Sequence, residues 1–467
     1  MNTVTTQDGA AAAVRLAGGA PLEAALALAD PGSWLALDIG VREVGWSWYR
    51  EQARSEWERS APLPADLSRL DEGRLALALC HRDGRTRALA LRSAARYPRL
   101  LPLVVIRCAD WVDPVRERAR DLLREMLTPD DAVALAPVIL LVGRRGRGAF
   151  AAELLAGVLP RAPRADLATL FRSSDRSLRR FAYHLTVEHR LLSPAELART
   201  AAGDADTVVQ NLCADAALAA VPDDACDDVL EPLLGARSPV VRSAGVTALR
   251  RAGRAARAVE FLADRAGLVR ACARYVVRQG GMDPLPWYRE RCAEPEGLPP
   301  GAVIGLAECG ERGDAEVLWA LLGHPVEGVR ARAVAGLRVL DVTDVRRLRP
   351  LLDDPAPGVV REVTAALLPS AEAVPEEELI ERLGAGWPRS RPRHVRAAAF
   401  RLLDARGGVV RLRAAVAALD DPDERIRDRA RRSVRSRYAP VGVPPGAAAE
   451  VGELLGRARR LLDARVS

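Results

Sequence analysis

Apolar residues along this chain come in short runs broken by turns, and after most turns the same phrase returns: an aliphatic residue, Arg, two variable residues and a small residue. Ten copies align: DGRTRALA (83–90), DPVRERA (113–119), DRSLRRFA (175–182), DTVVQNLC (206–213), SPVVRSAG (238–245), GLVRACA (267–273), EGVRARA (327–333), GVVREVT (358–364), RHVRAAA (393–399) and ERIRDRA (424–430). The Arg place falls at Arg87, Arg116, Arg179, Arg242, Arg270, Arg330, Arg361, Arg396 and Arg427, with Gln210 in the fourth copy. Successive gaps are 29, 63, 31, 32, 28, 60, 31, 35 and 31 residues. Two are about twice the others, which puts degenerate copies near GRGAF (146–150) and PPGAV (299–303) and about twelve units of some 31 residues across residues 71–440.

An apolar run such as VLEPLLG (229–235), VLWALLG (317–323) or LRPLLDD (348–354) precedes each phrase and ends at Asp, Gly, His-Pro or Ser-Pro. Those are the signals of a helix, a tight turn and a second helix. The second helix is predicted to start at the aliphatic–Arg pair, and the small residue four positions after the aliphatic lets a neighbouring helix approach. The fold class predicted is all-α.

In phrase and period the chain resembles the HEAT-repeat family, specifically the short HEAT-like repeats also found in phycobilisome lyases, over about four fifths of its length. That resemblance implies a right-handed α–α superhelical, armadillo-like solenoid with a concave partner-binding surface. The units are shorter than HEAT units of about 40 residues or more, and nothing in the chain suggests a bilin substrate. Residues 1–70 are then expected as an N-terminal helical cap holding an outlying phrase, LDIGVREVG (37–45), with Trp34, Trp46, Trp48, Tyr49 and Trp57 close by. After VGVPPG (441–446), residues 447–466 read as a C-terminal capping helix.

Composition narrows the function classes. All 69 basic residues are Arg, with no Lys, against 62 acidic residues; this resembles GC-rich actinobacterial usage and gives an expectation of a bacterial chain. The net charge of +7 is mild for 467 residues, and the signs interleave. Seven well-separated cysteines without a CxxC make a disulfide framework or zinc site improbable, and five scattered histidines (His81, His184, His189, His324, His394) form no HExxH. Neither a secretory leader nor a run of about 18 apolar residues is present, so a cytoplasmic chain without membrane, metal or cofactor is expected. No GxGxxG after a strand, GxxxxGK[ST] or GxSxG occurs.

Candidate chemistry follows from the helical projection. The repeated arginines read as a structural ladder that bridges to the turn of an adjacent repeat. Positions one, five and eight after them point away from the buried stripe and collect Arg92, Arg124, Arg180, Arg250, Arg278, Arg338, Arg401, Arg432 and Arg435 against Glu117, Asp121, Asp215, Glu362, Asp404 and Asp428. Of these, Arg250, Arg278, Arg338, Arg401, Arg432 and Arg435 are the candidate partner-binding residues. The mixed surface turns basic toward the C-terminus, while Asp204, Asp206, Asp215, Asp223 and Asp224 gather in the middle; a protein partner with complementary charge zones fits that pattern. The function expected is a non-catalytic scaffold or adaptor. The alternative is DNA or RNA binding through the Arg-rich C-terminal third or the GRRGRG loop (143–148). The architecture also resembles HEAT-like alkylpurine DNA glycosylases, which implies Trp111 with Asp110 and Asp113, plus Trp46 and Trp48, as a nucleotide cradle.

Overall fold

The computed structural model describes residues 6–42, 55–220, 227–384, 391–435, 446 and 448–463, and among them every regular element is an α- or 3-10 helix. Trp46, Trp48, Tyr49, Asp223, Asp224, Cys226 and residues 441–445 lie outside the described residues. No described helix is long and apolar enough to cross a membrane. The chain divides into two compact units, Met1–Val221 and Pro222–Ser467.

The first unit opens with helices Thr6–Ala17 and Pro31–Arg42, which cross at two glycines. A Cβ on Gly9 would stand 1.8 Å from the Ala36 carbonyl oxygen, and one on Gly40 would stand 2.3 Å from the Ala10 nitrogen, so the two backbones touch where no side chain fits. Trp34 and Trp57 are buried here, their indole N–H groups donating to Leu28 O and Val41 O. Five helical hairpins follow among the described residues, with second helices Gly84–Leu91, Asp113–Met126, Ala149–Val158, Arg176–Glu188 and Thr207–Ala219.

The second unit holds seven such hairpins among its described residues. Their second helices are Pro239–Arg251, Gly267–Gln279, Pro300–Cys309, Glu327–Val339, Pro357–Leu367, Arg393–Ala405 and Glu424–Arg435. Helices thus start at Ala149 and Pro300 inside the two degenerate segments. A last helix, Ala448–Asp463, packs on Gly408–Ala418 and ties Glu450 to Arg413 at 2.7 Å.

Local chemistry explains where the second helices begin. Asp83, Asp175 and Asp206 accept from the backbone N–H two residues on, at 3.1, 2.8 and 2.9 Å, satisfying donors that a helix start leaves orphaned. Elsewhere Pro114, Pro239 and Pro357 occupy the first turn, where their fixed φ suits the helix. The aliphatic place is buried at Val115, Val209, Val241, Val269, Val329 and Val395, and so is the small place four residues on at Ala119, Cys213, Gly245, Ala273, Ala333 and Ala399. Each such Val contributes about 1.5–3 kcal/mol of burial. At Gly245 an added Cβ would meet Leu233 Cβ at 3.0 Å, so the small residue sets how closely the two helices of that hairpin pack.

One copy of the phrase is out of register. Six residues after its turn Asp, where Asp264 is followed by Arg270, Asp354 is followed by Val360. Val359 and Val360 are both buried, and Arg361 is turned out to solvent beside Glu362. The turn Asp, not the Val-Arg lettering, fixes the register, so Arg361 is not part of the ladder formed by the other repeat arginines.

Candidate protein-binding face

Most repeat arginines are bound on two sides. Arg242 sends Nε and Nη2 to the two carboxylate oxygens of Asp264 at 3.0 and 2.9 Å, while Nη1 donates to Ala236 O and Arg237 O at 2.7 and 2.9 Å. Arg87 with Asp110, Arg330 with Asp354 and Arg396 with Asp421 repeat the same fork at 2.8–2.9 Å. The acceptor in each case is the first turn residue of the following hairpin. Its own Oδ1 also accepts the N–H two residues on, as at Asp264–Ala266 and Asp354–Ala356, both 2.8 Å. One carboxylate therefore holds its turn and clamps the previous helix. Burial pushes Asp264 and Asp354 up, but the hydrogen bonds from Arg242 and Arg330, those from the Ala266 and Ala356 N–H groups and the nearby positive charge together outweigh it and hold both below the usual carboxylate range.

The remaining repeat positions adapt. Arg179 reaches Asp204 only at 3.5 Å, and Gln210 keeps the turn bond alone, to Asp204 O at 2.6 Å. Arg116 holds Asp110 O and Asp113, Arg270 turns to Glu308 with Nε at 3.0 Å, and Arg427 caps the Asp421 and Pro422 carbonyls. His81 and His324 stand in the turn-Asp place, each accepting the N–H two residues on through Nδ1. These guanidinium groups are consumed by the fold and do not form a phosphate-binding row.

Of the residues named for a glycosylase-like cradle, Asp110 is engaged in the same way. Asp110 is buried and accepts four bonds, two from Arg87, one from Arg107 and one from Val112 N–H, which fills a carboxylate's acceptor capacity. Arg107 also binds Asp38, whose second guanidinium contact is Arg42 at 2.8 Å. Burial pushes Asp38 up from its usual value, against the pull of Arg42. Trp111 is exposed with Arg87 5.9 Å from its ring centre, and Asp113 is bound by Arg116 at 2.6 Å. In the GRRGRG loop, Arg144 donates to Ser177 Oγ at 3.0 Å.

On the outward side of the second helices Val208 stands exposed two residues before Gln210, and the second unit repeats the feature. Two residues before the repeat Arg, the helices Pro239–Arg251 and Gly267–Gln279 expose Val240 and Leu268. Seven residues further along they carry Thr247 and Tyr275, and three further Arg250 and Arg278. Because these helices pack side by side, the residues form three rungs across them. Tyr275 is 46% exposed, accepts a 2.7 Å bond from Arg250 Nη1 at its hydroxyl, and lies with that guanidinium 5.9 Å from its ring centre. Arg278 is exposed with no ion-pair or hydrogen-bond partner among the described residues. In the next three second helices the same place holds Gly301, which is buried against the Ala263 carbonyl, then Gly328 and Gly358, where a shallow groove of about 280 Å³ opens, lined by Pro300, Gly328, Ala331, Arg332, Gly358, Arg361 and Glu362. Arg338 lies 3.6 Å from Glu362 beside it.

Of the predicted partner-binding arginines, Arg250, Arg278 and Arg338 thus share this face, whereas Arg401, Arg432 and Arg435 belong to the last two hairpins. Sequence reasoning missed Val240, Leu268 and Tyr275. Their signal was an apolar residue two places before the repeat Arg, shared with Val208, where other copies carry Arg85, Ser177 or Arg425.

No family model matches this chain, and no curated protein matches it. Among solved structures it is similar to the crystal structure of an engineered protein, at 17% identity over 77% of this chain and 97% of that one, with a TM-score of 0.22. A match that loose transfers neither fold nor function.

Proposed function

We propose that this chain is a non-catalytic scaffold of the HEAT-like class, a right-handed superhelical array of hairpins that holds an extended segment of another protein across successive second helices. The carrying observation is the exposed Val240, Leu268 and Tyr275 cluster with Arg250 and Arg278 at its edge, on helices whose ladder arginines are already satisfied. Aromatic and Arg side chains around an apolar centre are the composition of protein-binding hot spots. Arg278 has no acidic partner among the described residues, which favours an acidic segment with apolar anchors. Pro239–Arg251 packs side by side with Gly267–Gln279, and Pro300–Cys309, Glu327–Val339 and Pro357–Leu367 pack in succession, each neighbouring pair about 9 Å apart.

The test is affinity purification of the tagged protein from its native cell with half the sample nuclease-treated, beside a Leu268→Glu/Tyr275→Ser variant of unchanged melting temperature. A defined protein recovered with the parent in both halves and lost with the variant supports the reading. The same proteins recovered with both chains, or none with either, overturns it.

A further inference from the structure

The helix Glu424–Arg435 carries six arginines and two acidic residues in 12 positions. Ile426 and Ala430 anchor it in the core, Arg427 is spent on turn carbonyls, and Arg431 is paired with Asp428 at 2.8 Å. The other four, Arg425, Arg429, Arg432 and Arg435, are exposed and have no hydrogen-bond or ion-pair partner among the described residues. Steps of four, three and three residues keep them on one side of the helix. Most carboxylates nearby are engaged elsewhere, Asp404 with Ser433 and Arg411, Asp421 with Arg396, Asp423 with Arg393 and Asp428 with Arg431, which leaves the exposed Glu424 at the helix start. Arg401, which holds in the preceding second helix the place that Arg432 holds here, is likewise unpartnered among the described residues.

We propose that this arginine stripe is a second binding site, one that grips the phosphate backbone of nucleic acid without reading its sequence. From Arg425 to Arg435 the helix rises about 15 Å. A duplex presents about one phosphate charge per 1.7 Å of its axis, so about nine charges lie opposite the stripe. Guanidinium forks match phosphate oxygens geometrically. An acidic protein segment is the weaker match because no aromatic or aliphatic anchor stands between the arginines, unlike the face at Leu268 and Tyr275. A membrane surface is weaker too, since an interfacial helix needs an apolar outer edge. The site does not depend on the protein-binding reading, and its variants leave that face untouched.

The experiment is fluorescence anisotropy of a short, labelled, random-sequence DNA duplex with the full chain, titrated from about 50 to 300 mM salt. Four phosphate contacts predict a slope of log K against log salt near −3.6, about 0.9 per arginine. The variant Arg425→Gln/Arg429→Gln/Arg432→Gln/Arg435→Gln, matched to the parent in helicity and melting, is expected to lose at least tenfold in affinity at about 100 mM and to bring the slope close to zero. Three results overturn the proposal: no binding at the lowest salt, a variant with the parent's slope, or a polyglutamate peptide or phosphatidylserine vesicle that binds as tightly as the duplex at equal charge. The last would hand the stripe to a protein or lipid partner.

Discussion

Arg330→Leu strips one rung of the arginine ladder and leaves its acceptor in place. The wild-type side chain makes two bonds to Asp354 at 2.8 and 2.9 Å and two to the His324 and Pro325 carbonyls at 2.8 and 3.1 Å. Removing one member of a buried ion pair costs about 3–5 kcal/mol. Because the Arg330 side chain keeps 13% of its surface exposed, the lower end, about 3 kcal/mol, is the expected loss. For a unit the size of Pro222–Ser467 that lowers the melting transition by about 6–12 °C. Asp354→Asn, which keeps an acceptor for Arg330 and for the Ala356 N–H, is expected to cost about half as much, and the double variant to show a coupling of about 1.5–3 kcal/mol. The folded-state pKa of Asp354 lies below its unfolded value, so the pair's contribution is complete above about pH 4 and fades as pH falls through the folded value. Calorimetry or urea melts of the single and double variants between about pH 2 and 8 provide the assay. An Arg330→Leu loss under about 1 kcal/mol, or a gap from wild type that stays constant down to pH 2, would refute the clamp.

Gly9→Ala places a methyl against the Ala36 carbonyl, so it is expected to lower the melting temperature of the first unit by more than an ordinary overpacking of about 1–3 kcal/mol, measured by circular dichroism. Arg242→Lys removes the fork that reaches Asp264 and two turn carbonyls at once, at an expected cost of about 1.5–3 kcal/mol in chemical melts, while Arg278→Lys on the exposed face changes stability by under about 0.5 kcal/mol. Glu196 closes a capping box with Ser193 and binds Arg164, which together bring its pKa down to about 2. Its contribution is therefore kept above about pH 4.3 and lost toward pH 2, and side-chain carboxyl NMR titration will place the midpoint. Burial pushes Cys108, Cys213 and Cys292 up to about 12, so iodoacetamide at pH 8 should label them only after denaturation, as read by site-resolved mass spectrometry.

The helix starts and the buried aliphatic and small positions were legible because they recur at nearly fixed spacing, and 3.6-residue periodicity turns spacing directly into a face. The bridge from the repeat arginines to the turn of an adjacent repeat was legible too, but not which carboxylate accepts each one, because it sits 22–25 residues on, in the next hairpin's turn. A trace was nonetheless present. Where the Arg place holds Gln210 the next turn begins with Ala236, and where it holds Ala152 the next turn begins with Ser173, so clamp and acceptor vanish together. Arg270 is instructive because Gly297 replaces its turn Asp and Glu308 from the same hairpin substitutes. The misplacement of Arg361 has the same origin: matching letters in one helix ignored Asp354 in the turn before it.

The all-arginine composition now separates into groups with different work. In the ladder, guanidinium planes are wanted for a geometry that an ammonium lacks, two parallel bonds to a carboxylate and a third arm to the backbone. Such groups have little capacity left for a ligand, and counting them toward a nucleic-acid surface would overstate it. The unpartnered arginines lie elsewhere, Arg278 beside an apolar cluster and Arg425, Arg429, Arg432 and Arg435 in an apolar-free stripe. Apolar neighbours convert a charge into an orienting rim for a desolvated contact, whereas a solvated row gains chiefly by releasing counterions. The two sites should therefore differ in salt response, with binding at Leu268 and Tyr275 surviving concentrations that dissociate the stripe. One chain with both could hold a protein partner while resting on a polyanion.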